Sequence, residues 1–165
     1  MALPILLLVV SADCSSGTEE VTLSNRNCTL SGTLLTPNGK GPFAAVVFVH
    51  GSGPEERSNS KSRAKDFVRR GYAALIYDKR GVGKSGGNQT SVQYFSLEDL
   101  AGDVSAAVQF LSSRSEIDVR RIGLVATSQG GWVAPLAASR NQGIAFLVII
   151  SGSVTTIAIA DSHFG

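Results

Sequence analysis

Histidine is scarce in this chain of 165 residues: only His50 and His163 occur. A mechanism that needs an imidazole base must use one of these two or a base from elsewhere. Cysteine is equally scarce, with Cys14 and Cys28 and no CxxC pair, which argues against a metal centre. No run of basic residues and no aromatic–basic interleaving occurs, so nucleic acid is not an expected partner. The net charge of +2 selects no acidic partner. No apolar run is long enough to span a bilayer, and no internal repeat or long low-complexity tract is visible.

What is present is ordinary globular material: 43% apolar and 17% charged residues, over a length that suits one domain. Leu3 to Val10 is a short apolar stretch, and Val10-Ser11-Ala12 supplies the small residues a signal peptidase needs. No Lys or Arg precedes it, a departure from the usual signal. Residues 1–12 are expected to be an export signal, making the protein secreted or periplasmic. Cys14 and Cys28 could then form one disulfide; Asp13 makes Cys14 a poor site for a lipid anchor. Asn27-Cys28-Thr29 and Asn88-Gln89-Thr90 match the glycosylation acceptor pattern, which has no meaning in a bacterial protein. Residues 18–153 are expected to be the folded domain and 154–165 an irregular tail. The oligomeric state is left open.

Along the chain, Val21 to Leu23 and Cys28 to Thr36 read as two strands joined by a polar turn. Phe43 to Val49, Tyr72 to Tyr77, Arg121 to Ala126 and Phe146 to Ile150 are apolar runs of the kind found in strands buried on both faces. Helices are expected at Ala64 to Arg70, ended by Gly71, and after Ser96, whose hydroxyl is placed to cap a helix with Asp99 three residues on. The apolar stripe Leu97, Leu100, Ala101, Val104, Val108 and Leu111 supports the second. A third runs from Gln129 to Arg140, where Pro135 should kink or shorten it. The stretch up to Lys61 reads as a loop. This order predicts an α/β protein: a mostly parallel sheet with flanking helices and an N-terminal antiparallel strand pair.

Three glycine-bearing turns follow buried strands, where ligands bind in such sheets. They are His50-Gly51-Ser52-Gly53-Pro54, the stretch from Asp78 to Ser85, and Ala126-Thr127-Ser128-Gln129-Gly130-Gly131. The last has the pattern of a nucleophile elbow, with Ser128 on a sharp strand-to-helix turn. Positions two before and two after must be small; here they are Ala126, where glycine is usual, and Gly130. The Gln129 N–H would sit at a helix N-terminus, able to stabilise a developing oxyanion.

With these motifs the chain resembles the α/β-hydrolase superfamily, and more closely its secreted bacterial esterases and its dienelactone-hydrolase-like and prolyl-oligopeptidase-like members. The resemblance runs from about Val21 to about Ser153. It implies that Ser128 is the nucleophile, and that the N–H groups of Gln129 and Ser52 form the oxyanion hole. It also implies that His50, Gly51, Asp78, Arg80, Gly81, Gly83 and Gly130 shape the surrounding turns, with Asp78 and Arg80 paired. The substrate would be a small ester or acyl compound, with no cofactor and no metal. Trp132 is expected to pack. Gly81-Val82-Gly83-Lys84-Ser85-Gly86 also satisfies GxGxxG, but polar residues up to Ser96 separate it from a helix, so nucleotide binding is not expected.

A serine hydrolase needs a base and an acid to orient it, in the order Ser, acid, His. His163 and Asp161 follow Ser128, but no recognisable buried strand positions them. The expectation is that the base and acid lie beyond Gly165 and that these 165 residues alone turn over little substrate. A peptidase or other acyl transferase, or a non-catalytic binding relative, are the alternatives.

Overall fold

The structure is a computed structural model that describes residues 17–26, 28–87 and 95–152. Six strands form one sheet: β1 (Gly17–Asn25), β2 (Cys28–Thr36), β3 (Phe43–Val49), β4 (Ala73–Tyr77), β5 (Ile117–Thr127) and β6 (Phe146–Ile150). Their spatial order is β1-β2-β4-β3-β5-β6. The pairs β1/β2 and β2/β4 are antiparallel, and β4, β3, β5 and β6 run parallel. The expected architecture is therefore observed.

Alternation along the strands divides the core in two. Ala45, Val47 and Val49 of β3 and Ile122, Leu124 and Ala126 of β5 face α2 (Leu97–Ser112) and α3 (Gly130–Arg140). Val46 and Phe48 of β3 and Val125 of β5 face α1 (Lys61–Arg69), through Ala64 and Phe67. Each fully buried Val, Leu or Ile contributes about 1.5–3 kcal/mol of transfer free energy. The helix ends follow local chemistry. Asp99 N–H donates to the Ser96 hydroxyl at the start of α2 (3.1 Å), and Gly71, at φ +88°, ends the turn after α1.

Several boundaries differ from the expectation. β1 starts at Gly17 and β5 at Ile117, because Glu19, Glu20 and Arg120 lie on exposed strand stretches that need no apolar residues. Arg57–Ser60 forms a single 3-10 turn within the presumed loop. Pro135 does not shorten α3, which continues to Arg140 with Pro135 on its exposed face. The strand β6 ends the sheet, and Leu147, Val148, Ile149 and Ile150 are 36–45% exposed. Among the described residues no helix is long and apolar enough to cross a membrane. The expected export signal, Cys14, Asn27, Asn88 and the stretch from Ser153 onward lie outside the described residues. Cys28 is a buried free thiol 3.2 Å from the Gly86 carbonyl.

Candidate active site

Ser128 stands between β5 and α3 with φ at +51°, a left-handed conformation that non-glycine residues rarely adopt. Backbone hydrogen bonds hold it there. Ser128 N–H donates to the Ile150 carbonyl (3.1 Å), and the Ser128 carbonyl accepts from Gly131 N–H (2.8 Å). The small residues around it are required by contact. A Cβ on Gly130 would lie 2.8 Å from the His50 carbonyl oxygen and 2.9 Å from that of Val49, with Ala126 Cβ at 3.3 Å. A helix can thus begin directly on the end of the strand, leaving Ser128 exposed at the sheet's carboxyl edge.

The loop after β3 lies against this turn. A Cβ on Gly51 would sit 3.5 Å from Ser128 Cβ and 3.4 Å from the Thr127 carbonyl oxygen. Ser52, the next residue, is exposed. His50 is buried, and its Nε2–H donates to the Tyr77 carbonyl (2.6 Å) while Nδ1 lies 3.3 Å from Glu55 Oε2. Both ring nitrogens are thus engaged, one with the β4 backbone and one with the loop's own Glu55. The hydrogen bond from His50 holds the Glu55 carboxyl below its ordinary value, against the opposing effect of burial.

The third turn sends three consecutive side chains to three different elements. Asp78 does not pair with Arg80. Its carboxylate accepts from the backbone N–H groups of Arg57 and Lys84, each at 3.0 Å. Arg80 instead grips Asp103 of α2 with two hydrogen bonds of 2.7 Å, and Asn25 donates to the same carboxylate (2.7 Å). Asp103 is 1% exposed, so its charge needs that fork of donors. Asp103 raises the Arg80 pKa further. Gly83 sits against the Asp78 side chain, where a Cβ would collide, and Gly81 N–H donates to the Gly86 carbonyl (2.9 Å). The Gly81–Gly86 run closes on itself as a turn and starts no helix over the described residues.

Lys79, between Asp78 and Arg80, carried no expected role. It is 7% exposed, and its ammonium donates to the Gly51 carbonyl (2.7 Å), the Gly53 carbonyl (3.1 Å) and Gln129 Oε1 (3.0 Å). Burial lowers its pKa, with Glu55 acting in the other direction. The structure thus brings together Ser128, Gly130, Gln129, His50, Gly51 and the loop bearing Ser52, with Asp78 anchoring that loop. Arg80 serves the α2 side. His50 is the only histidine among the described residues, and Trp132 is half-buried in the first turn of α3. Among those residues no group of three or more His, Cys, Asp or Glu side chains could hold a metal.

Residues 40–161 match the protein-family model described as "Serine aminopeptidase, S33". The quorum-quenching protein AidA of Acinetobacter baumannii is 30% identical over 124 residues, covering 74% of this chain and 40% of AidA. Esterase EstD of Thermotoga maritima is 31% identical over 128 residues, covering 73% of this chain and 30% of EstD. The chain therefore spans less than half the length of these relatives. The crystal structure of the Pyrococcus furiosus esterase Pf2001 superposes with a TM-score of 0.69 at 25% identity, over 83% of this chain and 53% of the esterase.

Proposed function

We propose, from the premise that this chain belongs to the α/β-hydrolase superfamily and within it to the serine aminopeptidase family, that it is the nucleophile-bearing part of a serine hydrolase acting on carboxylic esters. The observation that carries this reading is the left-handed Ser128, exposed at the end of β5 and abutted by the Gly51–Ser52 loop. Ser128 Oγ attacks the ester carbonyl carbon, and its proton passes to a base. The tetrahedral oxyanion is held by the N–H groups of Gln129 and Ser52. The base then gives that proton to the departing alcohol oxygen as the C–O bond breaks, leaving an acyl-Ser128; water, deprotonated by the same base, attacks the acyl carbon, and the acid leaves as Ser128 Oγ takes the proton back. His50 is not the base, because its nitrogens are committed to Tyr77 and Glu55. Residues 1–12 are read as an export signal that directs the protein to the periplasm or beyond.

The experiment is done on the complete gene product. p-Nitrophenyl acetate hydrolysis should be abolished in Ser128→Ala and unaffected by chelators. Equal rates in wild type and Ser128→Ala would sink the reading. The description of the matching family favours a second substrate class, peptides with a free N-terminus. Aminoacyl-p-nitroanilides cleaved faster than short-chain esters, with the same dependence on Ser128, would transfer the assignment to that class.

A further inference from the structure

We propose that Lys79 is a positioning residue that holds both halves of the oxyanion hole. The proposal rests on the serine-hydrolase reading above and adds a part of that site which neither the motifs nor the relatives' names identify. An ammonium has three donors and no acceptor, and all three are accounted for by Gly51, Gly53 and Gln129. Each acceptor bears on a proposed oxyanion donor. The Gly51 carbonyl belongs to the same trans peptide unit as the Ser52 N–H. In a trans unit the C=O and N–H point to opposite sides, so pinning the carbonyl toward Lys79 aims the N–H away from it. Hydrogen bonding to that carbonyl also polarises the peptide and strengthens its N–H as a donor. The Gly53 carbonyl fixes the other flank of Ser52, at a glycine with φ +80°. The third bond goes to the side chain of Gln129, whose own N–H is the other donor. Lys79 N–H meanwhile donates to the Glu55 carbonyl (3.0 Å), tying the far end of the same loop to β4.

A buried ammonium is costly unless its donors are satisfied. An apolar side chain of equal length would fill the space without that cost. What it could not do is hold two loop carbonyls and the residue after the nucleophile in one geometry, which preorganised oxyanion stabilisation requires.

The test compares wild type, Lys79→Met, Lys79→Arg and Ser128→Ala in the complete gene product, using p-nitrophenyl acetate. Lys79→Met should lower kcat by about 10- to 100-fold with KM within about twofold, as expected for a transition-state interaction. Lys79→Arg should recover part of that loss. Phosphorus-31 NMR of the Ser128 adduct with a fluorophosphonate should show a shifted resonance in Lys79→Met, since the phosphonyl oxygen occupies the oxyanion position. An unchanged kcat and resonance in Lys79→Met would overturn the proposal, and so would a kcat loss that merely tracks the fraction unfolded. If Lys79→Met does not fold, Gln129→Leu cuts one of the three bonds and keeps the backbone N–H. It should show a smaller, kcat-only loss, and an unchanged kcat there also overturns the proposal. Activity lost in Ser128→Ala but intact in Lys79→Met sinks this proposal alone. Equal activity in wild type and Ser128→Ala sinks the hydrolase reading and this proposal with it.

Discussion

The turn at Ser128 and the turn at Asp78 lie at the carboxyl edge of the sheet on either side of the loop that follows β3, and they are held by opposite means. The Ser128 turn is held by what its neighbours do not have. Ala126, Gly130 and Gly131 leave room for a strand and a helix to meet, and backbone hydrogen bonds fix the left-handed residue between them. The Asp78 turn is held by three charged side chains: Asp78 accepts from the backbone N–H groups of Arg57 and Lys84, while the longer Lys79 and Arg80 reach Gly51 and Gln129, and Asp103. A strained residue persists where its surroundings over-determine it. Part of that surrounding support comes from a second turn distant in sequence.

Either turn can be weakened by single substitutions. The largest effect is expected at the nucleophile: Ser128→Ala should lower kcat for p-nitrophenyl acetate in the complete gene product by about 10⁴- to 10⁶-fold, with an unchanged melting temperature. Next comes the side-chain support of the Asp78 turn. Asp103→Ala removes the buried carboxylate that Arg80 grips, leaving the largely buried guanidinium only the exposed Asp99, and should cost about 2–4 kcal/mol, read as a lower urea midpoint. The small-residue support of the elbow follows. Gly130→Ala forces a methyl against two backbone carbonyl oxygens and should cost about 1–3 kcal/mol. Unlike Asp103→Ala, it should also lower kcat per folded molecule, because the displaced atoms belong to the elbow and the His50 loop. Equal kcat losses in the two variants would erase the distinction between the turns.

The smallest effect concerns pH. Lys79 has a folded-state pKa below its ordinary 10.5, because burial disfavours the ammonium; Glu55, His50, Tyr77 and Asp103 are titratable groups around it. The unfolded chain therefore binds the extra proton between the folded pKa and 10.5, and stability should rise with pH across that window. The kcat should fall across the same window as the ammonium is lost, and Lys79→Arg should flatten the alkaline limb. Stability and kcat rising together would contradict the assignment. Glu55 has the opposite sense at the acid end. Its depressed pKa stabilises the fold above its ordinary 4.5, and that contribution is lost as pH falls through the folded value.

The same contrast explains what could be read from the sequence. The elbow was legible because its determinants are local: an apolar strand, a serine and small residues at fixed offsets. The sheet followed from apolar runs and the α2 stripe for the same reason. The pairing of Asp78 with Arg80 was misjudged because adjacency in sequence is a poor guide to where long side chains reach. The true partner, Asp103, lies among the buried positions Leu100, Ala101 and Val104 of α2. A lone carboxylate on an apolar stripe was the signal that a buried cation would meet it. Lys79 had no comparable signal, since its three acceptors are two backbone carbonyls and an amide. Strand β5 begins early because Ile117 pairs with Phe43 ahead of an irregularity in the register, and the exposed residues between Ile117 and Ile122 carry no apolar pattern that would report it.

The central claim is that Ser128 is the residue that becomes acylated. The most direct measurement treats the complete gene product with a fluorophosphonate and maps the modified peptide by mass spectrometry. The account predicts a single stoichiometric adduct on Ser128, absent in Ser128→Ala. No adduct on wild type, or an adduct that persists undiminished in Ser128→Ala, would contradict it.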